Sequence, residues 1–360
     1  MSRERMNELA FYTLAGAPQT PRELIDEVRQ GEEMGFGSVF VSERFNLKEA
    51  ATLCGAAAAV STEIGIATAA TNHNTRHPMV TAAFAMTMHK LTGGRFSLGL
   101  GRGIAPLLSL FGLPQIRTAE IEDFVGLMRR VWRGEIVAGH DGPAGKFPLL
   151  TMGPEYHEEI PMTLTAFGPR SLALGGRAFD AVVLHTFFTD ETTERCVRAV
   201  KTAAEEAGRN PAKVRVWSCL ATVRDHLPED ARLRKTVGRM ATYLQGYGDL
   251  MVKTNRWDPA VLQRFREADV VKGFRSAIDA NATTEQLEQI APLIPDEWLA
   301  PSATGSPAEC VAAISGQFDL GCDGVILHGA SPAELAPIVD EYRKGRQAGR
   351  FAHLAANPAA

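Results

Sequence analysis

The 360-residue chain is 45% hydrophobic and 22% charged, and its formal net charge is −4 at pH 7, which is typical of an ordinary globular protein. The slight acidity, without any dense basic block, argues against nucleic acid or an anionic membrane as the main partner. No apolar run reaches the roughly 18 residues of a membrane-spanning helix. Five dispersed cysteines and an N-terminus without an apolar signal stretch indicate a cytoplasmic protein with reduced thiols.

Strand and helix signals alternate along the chain. The first strand is predicted at Leu9–Leu14, and a helix follows over Pro21–Met34, with Thr20 and Glu23 as a capping box. Because the apolar runs lack apolar–polar alternation, they are typical of strands buried on both faces of a parallel sheet. Seven further strands are predicted: Ser38–Ser42, Ile64–Ala70, Phe96–Leu100, Met162–Ala166, Ala181–His185, Val214–Ala221 and Gly324–His328.

Eight strands separated by helical segments fit an α/β fold, a (β/α)8 barrel of the TIM type with its active site at the C-terminal face. A doubly wound sheet is the alternative, but the loop AGAPQT after the first strand lacks the GxGxxG turn of such sheets. Two insertions exceed the minimal unit: a Gly/Pro-rich excursion over 134–161, with a hairpin, and a long helical segment over 231–298, of the kind that forms lids or oligomer contacts. We expect one domain over residues 1–350 and a flexible tail over 351–360.

The stretch over residues 64–103 is the most informative part of the sequence. A polar loop over 71–77 precedes a helix that begins at Pro78 and ends at a Gly-Gly pair. The next strand then ends in the sequence Gly101-Arg102-Gly103. Since chemistry in parallel α/β folds lies where strands end in such loops, both loops are expected at one face of the barrel.

Polar residues also follow other predicted strands. Arg170 stands at a helix start, where the helix dipole disfavours a positive charge. An anion bound at this helix N-terminus would explain why an arginine occurs there. Each residue taken singly has a structural alternative, such as a surface ion pair, a hydrogen-bonded core histidine or, for His77, a role in starting the helix. The candidates at these strand ends are Glu43, Arg44, Gly168, Pro169, Arg170, Ser171, His185 and His328.

No metal site and no nucleophile arrangement emerge from the sequence. His73 and His77 are four residues apart, but they lie in a loop and Pro78 follows, which disfavours a helical ligand pair. Neither a GxSxG elbow nor a GxxxxGK[ST] phosphate loop is present. Glycine-rich strand ends with two or three arginines suit a large anionic cofactor that carries out the chemistry itself.

The segments TNHNTRHP and LTGGRFSLGLGRG resemble a motif of the luciferase-like monooxygenase family, T-N-x-x-T-R-H-P followed by L-S-G-G-R-F-x-L-G-x-G. Segments that begin at Gly35, Ile160 and Ser306 extend this resemblance over most of the chain outside the two insertions. It implies a TIM-like barrel that binds a flavin or a deazaflavin, coenzyme F-420 (F420 hereafter), at the C-terminal face. The NxxTRHP variant is most similar to the deazaflavin-dependent branch, with its methylene-tetrahydromethanopterin reductases and actinobacterial glucose-6-phosphate dehydrogenases.

The resemblance also implies roles for particular residues. It implies a non-proline cis peptide near Ala69 and Ala70, at the end of the third strand, against the ring system of the cofactor. The phosphate-side loop and helix start of the family are matched by Gly168, Pro169, Arg170 and Ser171. The implied cofactor contacts are Ala69, Ala70, Thr71, Asn72, Gly101, Arg102, Gly103, Gly168, Pro169, Arg170 and Ser171.

Two positions depart from the sugar-phosphate dehydrogenases of this branch. Arg44 stands where many relatives carry histidine, and an arginine cannot exchange protons near neutral pH, although it can hold an anionic oxygen. Ile104 replaces a glutamate, so glucose-6-phosphate activity is disfavoured. Glu43, Arg44 and His185 are the predicted catalytic residues, with His185 preferred for proton transfer because histidine titrates nearest neutral pH.

The leading hypothesis is an oxidoreductase that transfers a hydride between F420 and an unidentified small organic molecule. One alternative is a monooxygenase that uses oxygen and reduced flavin mononucleotide (FMN), and another is a non-catalytic flavin-binding protein. The family resemblance implies a homodimer. Specificity varies in insertions, so the segment over 231–298 is expected to set the substrate.

Overall fold

The computed structural model describes residues 4–16, 18–45, 47–103 and 105–360, and eight parallel strands in it close into a barrel. The strands are β1 (Met6–Tyr12), β2 (Phe36–Val41), β3 (Gly65–Thr68), β4 (Phe96–Leu100), β5 (Val137–Gly142), β6 (Gly145–Leu150), β7 (Met162–Thr165), β8 (Ala181–Val183), β9 (Arg215–Arg224), β10 (Ala303–Gly305) and β11 (Gly324–His328). The ring runs β1, β2, β3, β4, β7, β8, β9 and β11, and β11 pairs back with β1. The predicted (β/α)8 barrel is therefore confirmed.

Helices connect the barrel strands and fill the longer insertion. They are α1 (Glu23–Glu33), α2 (Ala50–Ala59), α3 (Pro78–Leu91), α4 (Ala105–Leu110), α5 (Thr118–Trp132), α6 (Pro169–Ala178), α7 (Asp190–Glu206), α8 (Glu229–Leu233), α9 (Arg239–Asn255), α10 (Pro259–Glu267), α11 (Asp269–Lys272), α12 (Ile278–Asn281), α13 (Thr284–Ile290), α14 (Asp296–Leu299), α15 (Pro307–Asp319) and α16 (Pro332–Gly345). Short 3-10 turns lie at Pro211–Lys213, Ala291–Leu293 and Ala348–Phe351, and a π-helical turn spans Arg234–Gly238.

The eight predicted strands all form, with ends that differ from the prediction by up to three residues. Burial on both faces explains why the pattern worked, since every residue of β2, β3 and β4 is buried. Inside the barrel, Phe40 and Trp217 pack edge to face with ring centroids 5.3 Å apart. Outside it, larger apolar side chains of the strands pack against the surrounding helices.

Helix starts were predicted with mixed success. The helix α3 begins at Pro78 as expected, and His77 is its N-cap, with the ring Nδ1 accepting a hydrogen bond from the Met79 N–H at 3.2 Å. The first helix begins two residues later than predicted, at Glu23. The Thr20 hydroxyl accepts a hydrogen bond from the Arg22 N–H, so the chain forms a turn before the helix. Of the predicted capping box, the bond from the Thr20 N–H to the Glu23 carboxylate is present.

The two insertions have structure of their own. The excursion over 134–161 contains the antiparallel hairpin of β5 and β6. The segment over 231–298 holds α8 to α14 around a separate apolar cluster, in which Trp257 and Trp298 stack with ring centroids 4.4 Å apart. That cluster includes Phe187 and Ala221 from the barrel, so the insertion covers the C-terminal end of the strands. A single domain over residues 1–350 stays our interpretation.

The C-terminal segment over 351–360 packs against the N-terminal end of the barrel, whereas the sequence predicted a flexible tail. The Asn357 side-chain amide donates to the carbonyl oxygens of Gly94 and Phe96 at 2.7 and 2.8 Å. The Trp217 indole N–H donates to the Pro358 carbonyl at 2.7 Å. These partners lie at the starts of strands far away in the sequence, so the composition of the tail gave no sign of them.

Replacing Asn357 with alanine is expected to lower the free energy of unfolding by about 2 kcal/mol, because one buried and one partly buried carbonyl lose their donor. Urea denaturation followed by circular dichroism measures the change. His353→Ala, at an exposed position of the same segment, is the matched control and should change stability by less than about 0.5 kcal/mol. Equal stability of the two variants would show that the tail does not hold this end of the barrel closed.

Candidate active site

The backbone at the end of β3 has an unusual conformation. The peptide bond between Ala69 and Ala70 is cis, at the place that the family resemblance implied. Beyond it, the Thr71 N–H donates to the Gly99 carbonyl at 3.0 Å, and the Gly101 N–H donates to the Thr71 carbonyl at 2.9 Å. The chain after β3 therefore stays bonded to β4 and its continuation at the C-terminal end of the barrel.

Glycines allow this close approach of β3 and β4. A Cβ atom on Gly99 would lie 1.7 Å from the Thr68 carbonyl oxygen, a distance that no side chain can occupy. A Cβ atom on Gly101 would lie 2.8 Å from the Ala70 Cβ and 2.5 Å from the Thr165 hydroxyl. Backbone and methyl groups therefore line these two strand ends.

Glu43 is bound to Arg76, a residue that the sequence analysis did not select. The Arg76 guanidinium forms an ion pair with the Glu43 carboxylate and donates to the Thr71 hydroxyl at 2.9 Å. The Thr71 hydroxyl in turn donates to Glu43, whose side chain is only 6% exposed. The Glu43 carboxylate raises the pKa of Arg76. The motif TRHP contained Arg76, but nothing in it shows that this side chain reaches back to the second strand.

The polar loop after β3 is organised by Asn72. Its side-chain carbonyl accepts from the Thr75 N–H at 3.0 Å and from the Thr75 hydroxyl at 2.7 Å. His73 is buried against Phe124, with ring centroids 5.6 Å apart, and burial lowers its pKa. The cofactor contact expected of Asn72 stays a prediction, since this oxygen already holds the loop together.

Arg102 directly follows β4 at Gly101, and Arg170 lies in the first turn of α6. Burial and the nearby charge of Arg170 both lower the pKa of Arg102. One Arg102 nitrogen donates to the Thr118 hydroxyl, while its Nε is buried without a partner among the residues that the structure describes. Gly168 is the N-cap of α6, and a Cβ atom there would meet only Leu250, at 3.8 Å. Two guanidinium groups beside an uncovered helix N-terminus are suited to binding an anion.

The opposite half of the barrel end carries basic and aromatic side chains. Lys48 and Arg239 are buried, with 4% and 7% of their surface exposed. The Lys48 ammonium donates to the Leu14 carbonyl, and the Arg239 Nε lies 3.0 Å from a carboxylate oxygen of Asp279. Burial and the charge of Arg44 lower the pKa of Lys48 to about 8. The sequence analysis missed both cations, because a lone lysine or arginine in a loop or insertion resembles ordinary surface charge.

His185 lies in an aromatic group with Phe167, Tyr243 and Tyr247, at ring-centroid distances of 4.4, 4.8 and 5.4 Å. Burial lowers the pKa of His185 to about 4, so the imidazole is neutral at pH 7. The reason for choosing it as the proton-transfer residue, a pKa near neutrality, therefore does not apply. A catalytic role for His185 stays a prediction.

The expected site residues thus fall into three groups. Glu43 lies with Thr71, and Ala70 lies against Gly101. The third group is Arg102 with Arg170, since burial and the charge of Arg170 lower the pKa of Arg102. Arg44 is exposed and does not pair with Glu43; its N–H bonds the Lys48 carbonyl at 2.9 Å. Gly103 and the helix-start residues Pro169 and Ser171 border the arginine pair in sequence, and Ile104 lies outside the described residues.

The described residues contain neither a metal-binding group of side chains nor a helix that could span a membrane. Across the described ranges, His, Cys, Asp and Glu side chains form no group of three or more that could hold a metal ion. In the same part of the chain, every helix is too short or too polar to cross a membrane.

A family model for luciferase-like monooxygenases matches residues 8–322. The chain belongs to the luciferase-like monooxygenase family. The resemblance seen in the sequence is confirmed, and it covers the whole barrel apart from the last strand and the helix after it.

Two curated relatives match over most of their length. The chain is 25% identical over 300 residues to the 5,10-methylenetetrahydromethanopterin reductase of Methanolobus tindarius. The aligned region covers 82% of this chain and 86% of the relative. It is also 25% identical over 344 residues to the F420-dependent glucose-6-phosphate dehydrogenase of Intrasporangium calvum. That alignment covers 89% of this chain and 92% of the relative. Both relatives are oxidoreductases by name.

Among solved structures, the fold is similar to the coenzyme F420-dependent tetrahydromethanopterin reductase of Methanopyrus kandleri. The TM-score is 0.78 at 19% sequence identity, and the match covers 95% of this chain and 99% of the other. This similarity supports the barrel and its connections.

Proposed function

We propose that this protein of the luciferase-like family is an F420-dependent oxidoreductase that transfers a hydride between the deazaflavin and a small organic molecule. Family membership and the activities named for the two curated relatives support this function. The observation that carries it is Arg102, whose buried Nε has no partner among the described residues and whose pKa is lowered by burial and by the charge of Arg170. Arg102 directly follows Gly101, and an anion site next to strand ends that carry glycine and alanine suits a planar cofactor with a phosphate-bearing tail.

The residues present fit such a cofactor. The charge of Arg170 disfavours the protonated Arg102 guanidinium, and a bound phosphate would offset that repulsion and supply an acceptor for the buried Arg102 Nε. Gly168 leaves space at the N-terminus of α6, where helix N–H groups favour negative charge. The bound deazaflavin supplies the hydride-transfer chemistry, and the chain supplies binding, orientation and exclusion of water.

The remaining groups of the site hold its shape. The Glu43 carboxylate and the Arg76 guanidinium fix the Thr71 hydroxyl from two sides, which orients the chain after β3. Neutral His185, with Phe167 and Tyr247, forms an apolar wall that keeps water from the reacting groups. We further propose that the protein acts as a homodimer, which light scattering of the purified protein would test.

Arg102→Gln and Arg170→Gln are each expected to weaken F420 binding about tenfold or more, because each removes a charge-assisted hydrogen bond to the cofactor phosphate. Quenching of deazaflavin fluorescence measures the dissociation constant. Arg198→Gln, which removes an exposed arginine that pairs with Glu194 on α7, is the matched control and should leave the affinity unchanged.

The same titration separates the alternatives. Tight binding of FMN and none of F420 by the wild-type protein would favour the FMN-dependent monooxygenase. Bound cofactor that never changes its redox state with any candidate substrate would favour a non-catalytic flavin-binding protein. F420 affinity that is equal in the wild-type protein and both variants would contradict the placement of the phosphate at Arg102 and Arg170.

A further inference from the structure

The half of the barrel end away from the arginine pair holds positive charge from several elements. We name Arg44, Lys48 and Arg239, together with the neutral ring of His328 beside them, the cationic cluster. Lys48 follows β2, Arg239 begins α9 and His328 ends β11. Lys48 donates to the Leu14 carbonyl and His328 packs against Tyr12, so both lie at the C-terminal end of β1. Burial lowers the pKa of His328 well below its usual range, and the charges of Arg239, Arg44 and Lys48 lower it further.

The fold neutralises this charge only in part. Asp279 is close to Arg239 and also accepts from the Thr242 hydroxyl at 3.0 Å. Glu27 accepts from the Thr13 hydroxyl and the Leu14 N–H, both at 2.6 Å, and attracts Lys48 only at longer range. Among the described residues, Lys48 forms no ion pair, and the Leu14 carbonyl accepts one of its three ammonium hydrogens.

His328 adds a second sign of a missing partner. Its ring lies edge-on to Tyr12, with centroids 5.2 Å apart, and its Nδ1 is buried without a hydrogen-bond partner in the described ranges. Buried polar atoms are normally paired, and a buried ammonium without a carboxylate is costly. An anionic group bound next to Lys48 would compensate its charge, and a polar atom of the same molecule would satisfy the ring nitrogen.

We propose that Lys48 and Arg239, beside His328, bind an anionic group of the substrate, either a carboxylate or a phosphate ester. This inference rests on the proposed function, because it assigns the substrate side of the same site. It is separate from the Arg102–Arg170 pair, which meets the cofactor. The substrate is accordingly a small acid or phosphate ester, and a neutral alcohol or hydrocarbon would leave the cationic cluster uncompensated.

The test is a calorimetric titration of the protein saturated with oxidised F420, so that the cofactor already occupies the arginine pair. Sodium sulfate stands in for a phosphate group and sodium propionate for a carboxylate, both at constant ionic strength. The wild-type protein is expected to bind one equivalent, and the probe with the higher affinity indicates the class of substrate. Lys48→Met should weaken that binding about tenfold or more, while Lys48→Arg keeps it within about threefold.

Two further variants keep the result interpretable. Arg44→Gln, at an exposed position, should weaken anion binding about threefold by removing one nearby charge. Lys213→Met removes an exposed lysine at the opposite end of the barrel and should change nothing. Failure of the wild-type protein to bind F420 would overturn the proposed function itself. Normal F420 binding, with anion binding absent or equal in wild type and Lys48→Met, would overturn only the anion site.

The pH dependence gives an independent readout. Lys48 faces Glu23 and Glu27 of α1, Arg44 of its own loop, Arg239 of α9 and His328 of β11. Between pH 7 and 9.5 His328 keeps its neutral state, because burial lowers its pKa well below its usual range.

Sulfate also keeps its charge over this range. Because the pKa of Lys48 is about 8, affinity for sulfate should fall as pH rises above that value and the ammonium is lost. Lys48→Arg should remove this fall, since arginine stays protonated. A fall of the same size in both proteins would contradict the role of Lys48.

Discussion

Replacing Arg76 with methionine is expected to lower the free energy of unfolding by about 3 kcal/mol, the cost of leaving a buried carboxylate without its cation. The Glu43 side chain is 6% exposed, and Arg76 is its ion-pair partner. The Thr71 hydroxyl would lose one of its two partners as well. Glu49, which also binds Arg76, is half exposed, so its share of the loss is small.

A double-mutant cycle measures the pair directly. Urea denaturation is compared for the wild-type protein, Arg76→Met, Glu43→Gln and the double variant, and the double variant should be more stable than the sum of the single losses indicates. Arg133→Met is the matched control, because Arg133 pairs with Glu159 on the surface and its loss should cost less than about 1 kcal/mol. Additive losses in the cycle would mean that the pair does not hold the chain after β3.

Acid should destabilise this protein through His185, by about 2.5 kcal/mol between pH 7 and pH 4.5. The folded-state pKa is about 4, whereas an unfolded histidine titrates near 6.5, so the unfolded chain binds the proton more readily. The stability is therefore complete above about pH 6.5 and is lost as pH falls toward 4. His328, whose pKa is also lowered by burial, adds a loss in the same direction.

The measurement is the free energy of unfolding at several pH values for the wild-type protein and for His185→Gln, which cannot titrate. The variant is expected to lose less stability than the wild type between pH 7 and pH 4.5, whatever its stability at neutral pH. His226→Gln is the control, because that side chain is exposed and meets solvent in both states. Identical acid sensitivity of His185→Gln and the wild type would show that the folded protein accommodates a charged imidazole at this position.

The local sequence patterns predicted the barrel well. Runs such as Phe96–Leu100 and Gly324–His328 are apolar without alternation, and the structure shows them as parallel strands buried on both faces. His77-Pro78 marked the start of α3, since a cap and a proline act within one turn of the helix. The exception is α1, where the Thr20 hydroxyl caps a turn ahead of the helix.

The sequence analysis predicted mainly one half of the candidate site, the half that contains Gly101 and Arg102. The family motif led to Ala69, Ala70, Gly101 and the arginine pair, because these residues lie within or directly after recognisable strands. Lys48 and Arg239 were not found, although both lie at the same barrel end. Their proposed role depends on burial and on the effect of each charge on the other, and the two residues are 191 positions apart in the chain.

By itself, the sequence determined the order of strands and helices and the closed parallel sheet, because hydrophobic period and turn residues act over a few neighbouring positions. Only the tertiary structure decided the charge state and partners of the site. Glu43 pairs with Arg76 rather than Arg44, His185 is neutral, and the tail over 351–360 seals the far end of the barrel. Such properties depend on burial and on groups brought together from distant parts of the chain, which no local pattern encodes.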